Sequence, residues 1–269
     1  MIRLALRVRR EDAEVALAEL LALAPSGVEE VDLGDRVEYA IYGPPGELPE
    51  LPDLQAAAGD ALVAVVTTEV EDDWQDRWKQ FHQPVELPGL RVRPPWEDPA
   101  PADSGTLEIV IDPGQAFGTG GHHTTRLCLE LMLDLDPSGE FMDLGCGSGV
   151  LAIAAAKLGW SPVAGVDFDP LAVDATIENA RVNGVSVAAS RVDVKVQAAP
   201  SAPTVAANLL RPLLLALHFE PDAVPQTLIA SGLLTTEADE IARHFADTYG
   251  LVEKRRLTGG EWSALLLTG

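Results

Sequence analysis

The feature that most constrains this chain is the run Phe141-Met142-Asp143-Leu144-Gly145-Cys146-Gly147-Ser148-Gly149. A short, mostly apolar stretch ends in an aspartate-leucine pair, and glycines then fall at alternate positions. Val150 to Leu158 follows with the composition of a buried helix. Strand, glycine turn and helix in this order are how a doubly wound α/β domain brings its backbone to a ligand. Glycines there remove the Cβ atoms that would keep a ligand away, and the helix start offers unpaired N–H groups. Strands are predicted near 141–144, 163–167, 185–192, 204–207, 227–231, 251–257 and 262–267. Helices are predicted near 149–158, 170–182, 211–219 and 235–246. Such alternation implies an α/β fold with a mostly parallel sheet covered on both faces.

A glycine turn alone fits nucleotide binders of many kinds, but two acids narrow the ligand. Val163-Ala164-Gly165-Val166-Asp167 ends in a carboxylate 22 positions beyond Gly145. That spacing suits an acid that accepts hydrogen bonds from both ribose hydroxyls of a nucleoside. Asp143 stands immediately before the turn, where it would repel the pyrophosphate of NAD. S-adenosylmethionine carries no phosphate and has an ammonium and a sulfonium, so the second acid favours it. Farther on, Thr204-Val205-Ala206-Ala207 leads into Asn208, at the carboxyl edge of a central strand where open α/β sheets bind ligands. An amide there can meet the cofactor's amino-acid moiety or an incoming amine.

The N-terminal part has a different pattern. Residues 2–9 alternate as a strand does, 11–23 has helical periodicity, 28–33 and 37–42 read as strands around Gly34-Asp35, and a short helix near 51–58 precedes a strand over 62–70. This β-α-β-β-α-β order is the ferredoxin-like pattern. It carries no cluster of reactive residues and is read as a recognition module over 1–70. Trp74, Trp78 and Phe81 fall at helical spacing in a linker helix over 71–84, with the second domain over 85–269. The prolines between 84 and 101 predict loops or extended chain. After a strand at 107–111, the stretch Asp112-Pro113-Gly114-Gln115-Ala116-Phe117-Gly118-Thr119-Gly120-Gly121-His122-His123-Thr124-Thr125 is a glycine-rich loop. It precedes a helix over 126–135, for which Thr124 or Thr125 is the expected cap.

Composition excludes several classes. With 42 acidic against 19 basic residues the net charge is −23, which disfavours direct binding to nucleic acid or an anionic membrane and suits a basic partner. The same surface is also compatible with solubility alone. Cys128 and Cys146 fit no disulfide framework, and the five histidines form no metal-ligand pattern. The N-terminus lacks the apolar core of a signal peptide, and no run is apolar enough to span a membrane. A cytoplasmic protein without a metal site is expected.

The 112–125 loop resembles the signature of the bacterial ribosomal protein L11 methyltransferase family. Phe141–Gly149, Gly165-Val166-Asp167-Phe168-Asp169-Pro170 and Ala207-Asn208-Leu209 look like its cofactor motifs, in the same order. The resemblance implies a class I methyltransferase domain, Rossmann-like with a seven-stranded mixed sheet, preceded by a small ferredoxin-like α+β domain. It implies S-adenosyl-L-methionine-dependent methylation of lysine side-chain and N-terminal amines of a basic ribosomal protein. By motif position Thr125, Gly145, Asp167 and Asn208 would contact the cofactor, with Asp143 and Gly147 beside them. Phe117, Gly118 and Thr119 would cover its methionine end, and Asn208 would also orient the amine. His123 stands where the family usually has proline, Gly121 where threonine is common, and the stretch after Asn208 is one residue shorter. Two alternatives are a related protein-lysine methyltransferase with a non-ribosomal target and a non-catalytic nucleoside- or NAD-binding protein.

Overall fold

The computed structural model describes residues 2–13, 16, 29–43, 62–69, 83–101, 103–113 and 121–269. The chain divides into two compact units, 1–81 and 82–269. Of the helix predicted over 11–23 only 11–13 and 16 are described, with a 3-10 turn at Arg10–Asp12. The helix near 51–58, the linker helix with Trp74, Trp78 and Phe81, and the Phe117-Gly118-Thr119 stretch lie outside the described residues.

The first unit is built on strands β1 (Ile2–Arg9), β2 (Glu29–Asp32), β3 (Arg36–Gly43) and β4 (Leu62–Glu69). Their order across the sheet is β2-β3-β1-β4, and all pairs are antiparallel. The central first strand, flanked by the third and fourth, is the strand order of the ferredoxin-like pattern. Leu4, Leu6 and Val8 alternate on one face of β1 and form a core with Val37, Tyr39 and Ile41 of β3. The opposite face of β1 carries Arg3 and Arg7. Both guanidiniums donate at 2.7 Å to the carboxylate of Glu38, which is only 6% exposed.

The second unit opens with a small sheet, β5 (Val85–Leu87), β6 (Leu90–Arg93) and β7 (Leu107–Val110). The first two of these strands are the extended part of the stretch expected to be extended or looped over 84–105, though their pairing was not anticipated. Leu87 pairs with Leu90 across Pro88-Gly89. Proline supplies the first central residue of that turn and Gly89, at φ 78°, the second. The prolines therefore bound the strands here instead of excluding them.

The main sheet contains β8 (Phe141–Leu144), β9 (Val163–Asp167), β10 (Ala188–Arg191), β11 (Thr204–Asn208), β12 (Thr227–Leu234), β13 (Val252–Gly259) and β14 (Trp262–Thr268). The order is β10-β9-β8-β11-β12-β14-β13, parallel except for β14, which runs antiparallel to both of its neighbours. This is the seven-stranded mixed sheet expected. Helices α1 (His123–Leu133), α2 (Val150–Leu158) and α3 (Pro170–Val182) cover one face. Helices α4 (Arg211–Ala216) and α5 (Ala238–Tyr249) cover the other. Asp169 caps α3 by accepting from Leu171 N–H at 2.9 Å, with Pro170 at the first helical position. The chain leaves β8 toward β9 and β10 but leaves β11 toward β12 in the opposite direction. That reversal opens a crevice at the carboxyl ends of β8 and β11. Among the described residues, no helix is long and apolar enough to cross a membrane, and no cluster of side chains could hold a metal ion.

Candidate active site

A cavity of about 530 Å³ fills this crevice. Thr125, Asp143, Gly145, Gly147, Asp167 and Asn208, all singled out in the sequence, line it together. Four sequence-distant stretches thus meet at one place. Phe117, Gly118 and Thr119 lie outside the described residues.

The glycine turn has a definite backbone cause. Gly145, Gly147 and Gly149 all have positive φ, at 75°, 52° and 81°, a region that side chains with a Cβ rarely enter. Ligand approach is only part of the reason for glycine. A Cβ on Gly145 would lie 2.4 Å from the Leu209 side chain, and one on Gly149 would lie 2.9 Å from Thr176 of α3. These two glycines therefore also let the turn pack against the protein itself. Leu209 is further fixed by its N–H donating to the Ser231 carbonyl at 2.9 Å. Its carbonyl oxygen lies 2.5 Å from where a Cβ on Gly232 would be. The backbone beside Asn208 is thereby held from three sides.

The two acids are held differently. Asp167 accepts Gly147 N–H on Oδ2 and Asp169 N–H on Oδ1, each at 3.0 Å. A carboxylate oxygen has a second lone pair, so both can still accept from a diol. Asp143 is 1% exposed. Its Oδ2 accepts the N–H of Ala152, in the first turn of α2, at 3.1 Å, while its Oδ1 is buried without a partner. Burial pushes its pKa up to about 7; the Ala152 bond opposes the shift and the charge of Asp167 adds to it. An unpartnered carboxylate oxygen beside a cavity is suited to a cationic ligand. With Asp193 the cavity has three carboxylates against one lysine, Lys195. That donor set fits the ammonium, sulfonium and diol of S-adenosylmethionine and disfavours a pyrophosphate.

At the other wall, Asn208 Nδ2 donates to Thr125 Oγ1 at 3.3 Å, across 83 residues of sequence. Thr125 is buried in the first turn of α1. The cap of this helix corrects the expectation. It is His122, whose Nδ1 accepts from Thr124 N–H at 3.3 Å and pairs with Thr124 Oγ1 at 2.8 Å. Burial, with a smaller contribution from His123, lowers the His122 pKa and favours the neutral ring that can accept. The helix accordingly begins at His123, not at Arg126. His123 occupies the first helical position, where proline is equally at home, and its ring rests against Gly259 of the β13–β14 turn.

Several cavity residues were not anticipated. Phe168, next to Asp167, is 66% exposed and presents an aromatic face. Asp193 lies two residues beyond the end of β10 and accepts Lys195 N–H at 2.9 Å. Trp262 stacks edge-on to His122 with ring centroids 5.0 Å apart. A strand-end position two residues beyond Arg191 could have revealed Asp193, and the Gly259-Gly260 turn could have revealed Trp262. Cys146 is 5% exposed and burial pushes its thiol up to about 12, so it is a packing residue.

Comparison with known proteins agrees with this geometry. Residues 50–268 match the family described as Ribosomal protein L11 methyltransferase (PrmA). A ribosomal protein L11 methyltransferase from Burkholderia multivorans is 38% identical over 278 residues, covering 90% of each chain. One from Geobacter metallireducens is 40% identical, covering 78% of this chain and 71% of its own. The crystal structure of a ribosomal protein L11 methylase from Lactobacillus delbrueckii subsp. bulgaricus superposes with a TM-score of 0.60 at 29% identity, covering 70% of this chain and 98% of that one. The family match spans the crevice, the glycine turn and both acids, and this chain belongs to the ribosomal protein L11 methyltransferase family.

Proposed function

We propose that the crevice binds S-adenosylmethionine and that the chain methylates amines of ribosomal protein L11. The protein is an S-adenosylmethionine-dependent protein methyltransferase, as its family is. The observation that carries the placement is the pairing of a free, buried Asp143 oxygen with a diol-ready Asp167 across one glycine turn. Asp167 takes the ribose hydroxyls, and Phe168 offers a face for the base. Asp193 stands where it can accept from an exocyclic amine. The amino-acid end lies toward Asp143, Thr125 and Asn208.

Bound there, the cofactor supplies a methyl group already activated by its sulfonium. The chain's task is then to hold a neutral amine in line behind the carbon–sulfur bond. Thr125 fixes the Asn208 amide through its N–H₂ group. The carbonyl oxygen, which has no hydrogen-bond partner among the described residues, is then directed to accept from the amine. The apolar wall of Leu209, Leu210, Leu213 and Trp262 excludes water and favours the uncharged amine over ammonium. The small N-terminal unit serves as the recognition module for the basic substrate, and the acidic surface attracts it. No nucleic acid is bound directly. The reaction takes place in the cytoplasm, where ribosomal proteins are assembled.

Labelled methyl transfer to purified L11, with mass spectrometry of the product, tests this function. Methylated lysines and N-terminus on L11, and none on other ribosomal proteins, are expected. Methyl transfer to a different protein but not to L11 would leave the chemistry standing and replace the target.

A further inference from the structure

Helix α3 turns toward the glycine turn a pair of side chains to which the chemistry above assigns no role. Thr176 and Asn179 lie one helical turn apart and are 0% and 4% exposed. Thr176 Oγ1 donates to the Gly147 carbonyl at 3.0 Å, with the Cys146 sulfur at 3.2 Å. Asn179 Nδ2 donates to the Ser148 carbonyl at 2.9 Å, and its Oδ1 accepts the Asp112 N–H at 3.3 Å. Buried amides and hydroxyls satisfied this fully are costly to remove.

The consequence for the turn follows from peptide geometry. In a trans peptide C=O and N–H point in opposite directions. Drawing two successive carbonyls, Gly147 and Ser148, onto α3 turns the N–H groups of Ser148 and Gly149 away from it. The Gly149 N–H then finds the Cys146 carbonyl at 2.7 Å. Gly147 is held from both ends: its carbonyl by Thr176, its N–H by Asp167. The peptide that donates to Asp167 is the one between Cys146 and Gly147, and its carbonyl accepts the Gly149 N–H of the peptide that Asn179 holds, so α3 reaches the Asp167 hydrogen bond through one relay. Asn179 also ties the exit of β7, at Asp112, to the same turn.

Asn183, four residues farther along, shows what a purely structural amide looks like here. Its Oδ1 accepts Val110 N–H at 2.9 Å and its Nδ2 donates to the Val110 carbonyl at 2.7 Å. It stands in for a missing strand neighbour of β7 and has no bond to the glycine turn.

We propose that Thr176 and Asn179 are positioning residues for cofactor binding, setting the peptide orientations of the glycine turn and thereby the Asp167 carboxylate that faces the ribose. The inference rests on the assignment of the turn and Asp167 to the nucleoside. It is tested in the full chain by calorimetric titration with S-adenosylhomocysteine, steady-state kinetics and thermal melting. Thr176→Val and Asn179→Ala each raise the dissociation constant and the S-adenosylmethionine KM on the order of tenfold, and leave kcat at saturating cofactor within about twofold. Thr176→Ser restores the wild-type constant. Asn183→Ala lowers Tm without moving either constant. Thr176→Val and Asn179→Ala variants that melt early yet bind like wild type would overturn the proposal. Should Asn179→Ala fail to fold, equal affinity of Thr176→Val and Thr176→Ser overturns it alone. Asp167→Ala separates the two levels. If it binds as tightly as wild type, the site assignment falls and this inference with it; if it loses binding while the α3 variants keep it, only the α3 inference falls.

Discussion

Among the described residues each unit of the chain buries one carboxylate, and the two are treated in opposite ways. In the small sheet Glu38 of β3 lies between Arg3 and Arg7 of β1. Burial pushes its pKa up, but the hydrogen bonds and charges of the two guanidiniums outweigh this and hold it below the usual carboxylate value. In the main sheet Asp143 of β8 has no cation. One oxygen takes a backbone N–H, the other takes nothing, and burial pushes the group up to about 7. A buried charge neutralised within the chain is part of the fold. A buried acid left unpaired beside a cavity is a cost to the fold that a cationic ligand removes. The contrast predicts that acids of the second unit control binding and that Glu38 controls only stability.

The largest effect is expected at Asp167. Its replacement by alanine removes two acceptors for the ribose and frees the Gly147 N–H, so the dissociation constant for S-adenosylhomocysteine rises by about a hundredfold or more. Calorimetry decides this, and an unchanged constant would remove Asp167 from the site. Next comes Asn208→Ala. It leaves the cofactor's ribose contacts intact but takes away the acceptor for the amine and the partner of Thr125. Turnover on L11 falls by roughly tenfold to a hundredfold, with a smaller rise in cofactor KM. A fall in affinity alone, with kcat preserved, would make Asn208 a cofactor contact and nothing more.

How much of this was legible in the chain differs between the two carboxylates. Asp143 and Asp167 could be placed beside one glycine turn because strand, glycine turn and strand are local patterns. The partnership of Asn208 with Thr125 was not legible, since it depends on β11 and α1 meeting across the crevice. Glu38 was hidden for a similar reason: the alternation of arginine with apolar residues in β1 shows a strand, but not which acid lies opposite on β3. The prolines over 84–105 indicated extended or looped chain but not the pairing of β5 with β6, in which Pro88 starts the turn. His122 was missed as a cap because hydroxyl residues stood next to it. Local periodicity set the elements, and pairing across elements set the site.

Asp143→Asn keeps the acceptor for Ala152 N–H and removes the negative charge, so cofactor affinity at neutral pH falls by about tenfold. The sign of the pH effect follows from the raised pKa. Between the ordinary value of 3.8 and about 7 the folded chain retains a proton that the unfolded chain releases. Stability of the ligand-free protein therefore falls as pH rises through that window and stays lowered above it. Binding of a cation needs the ionised acid, so affinity moves the other way. From pH about 7.5 down to about 6, wild-type affinity weakens by up to about eightfold. Titrations in two buffers of different ionisation enthalpy detect the proton released on binding. Asp143→Asn releases none, and a pH dependence as steep in this variant as in wild type would move the titrating group elsewhere.

The smallest effect is assigned to Glu38→Gln. The amide can still accept from one guanidinium but no longer balances two. Arg7 is partly in water, its side chain 39% exposed, so screening reduces the loss to about 1 kcal/mol. A melt of the full chain at neutral pH shows a Tm lowered by a few degrees, while calorimetry gives an unchanged dissociation constant for S-adenosylhomocysteine. Because the folded-state pKa of Glu38 is depressed, its stabilisation is present above the ordinary value of 4.5 and is lost as pH falls through the folded value. The difference in Tm between variant and wild type therefore closes in acid, whereas that of Asp143→Asn vanishes only where both folded and unfolded states of wild type carry the proton. A Glu38→Gln chain that melted like wild type but bound the cofactor poorly would invert the comparison and place the small sheet's acid, not the main sheet's, in contact with ligand.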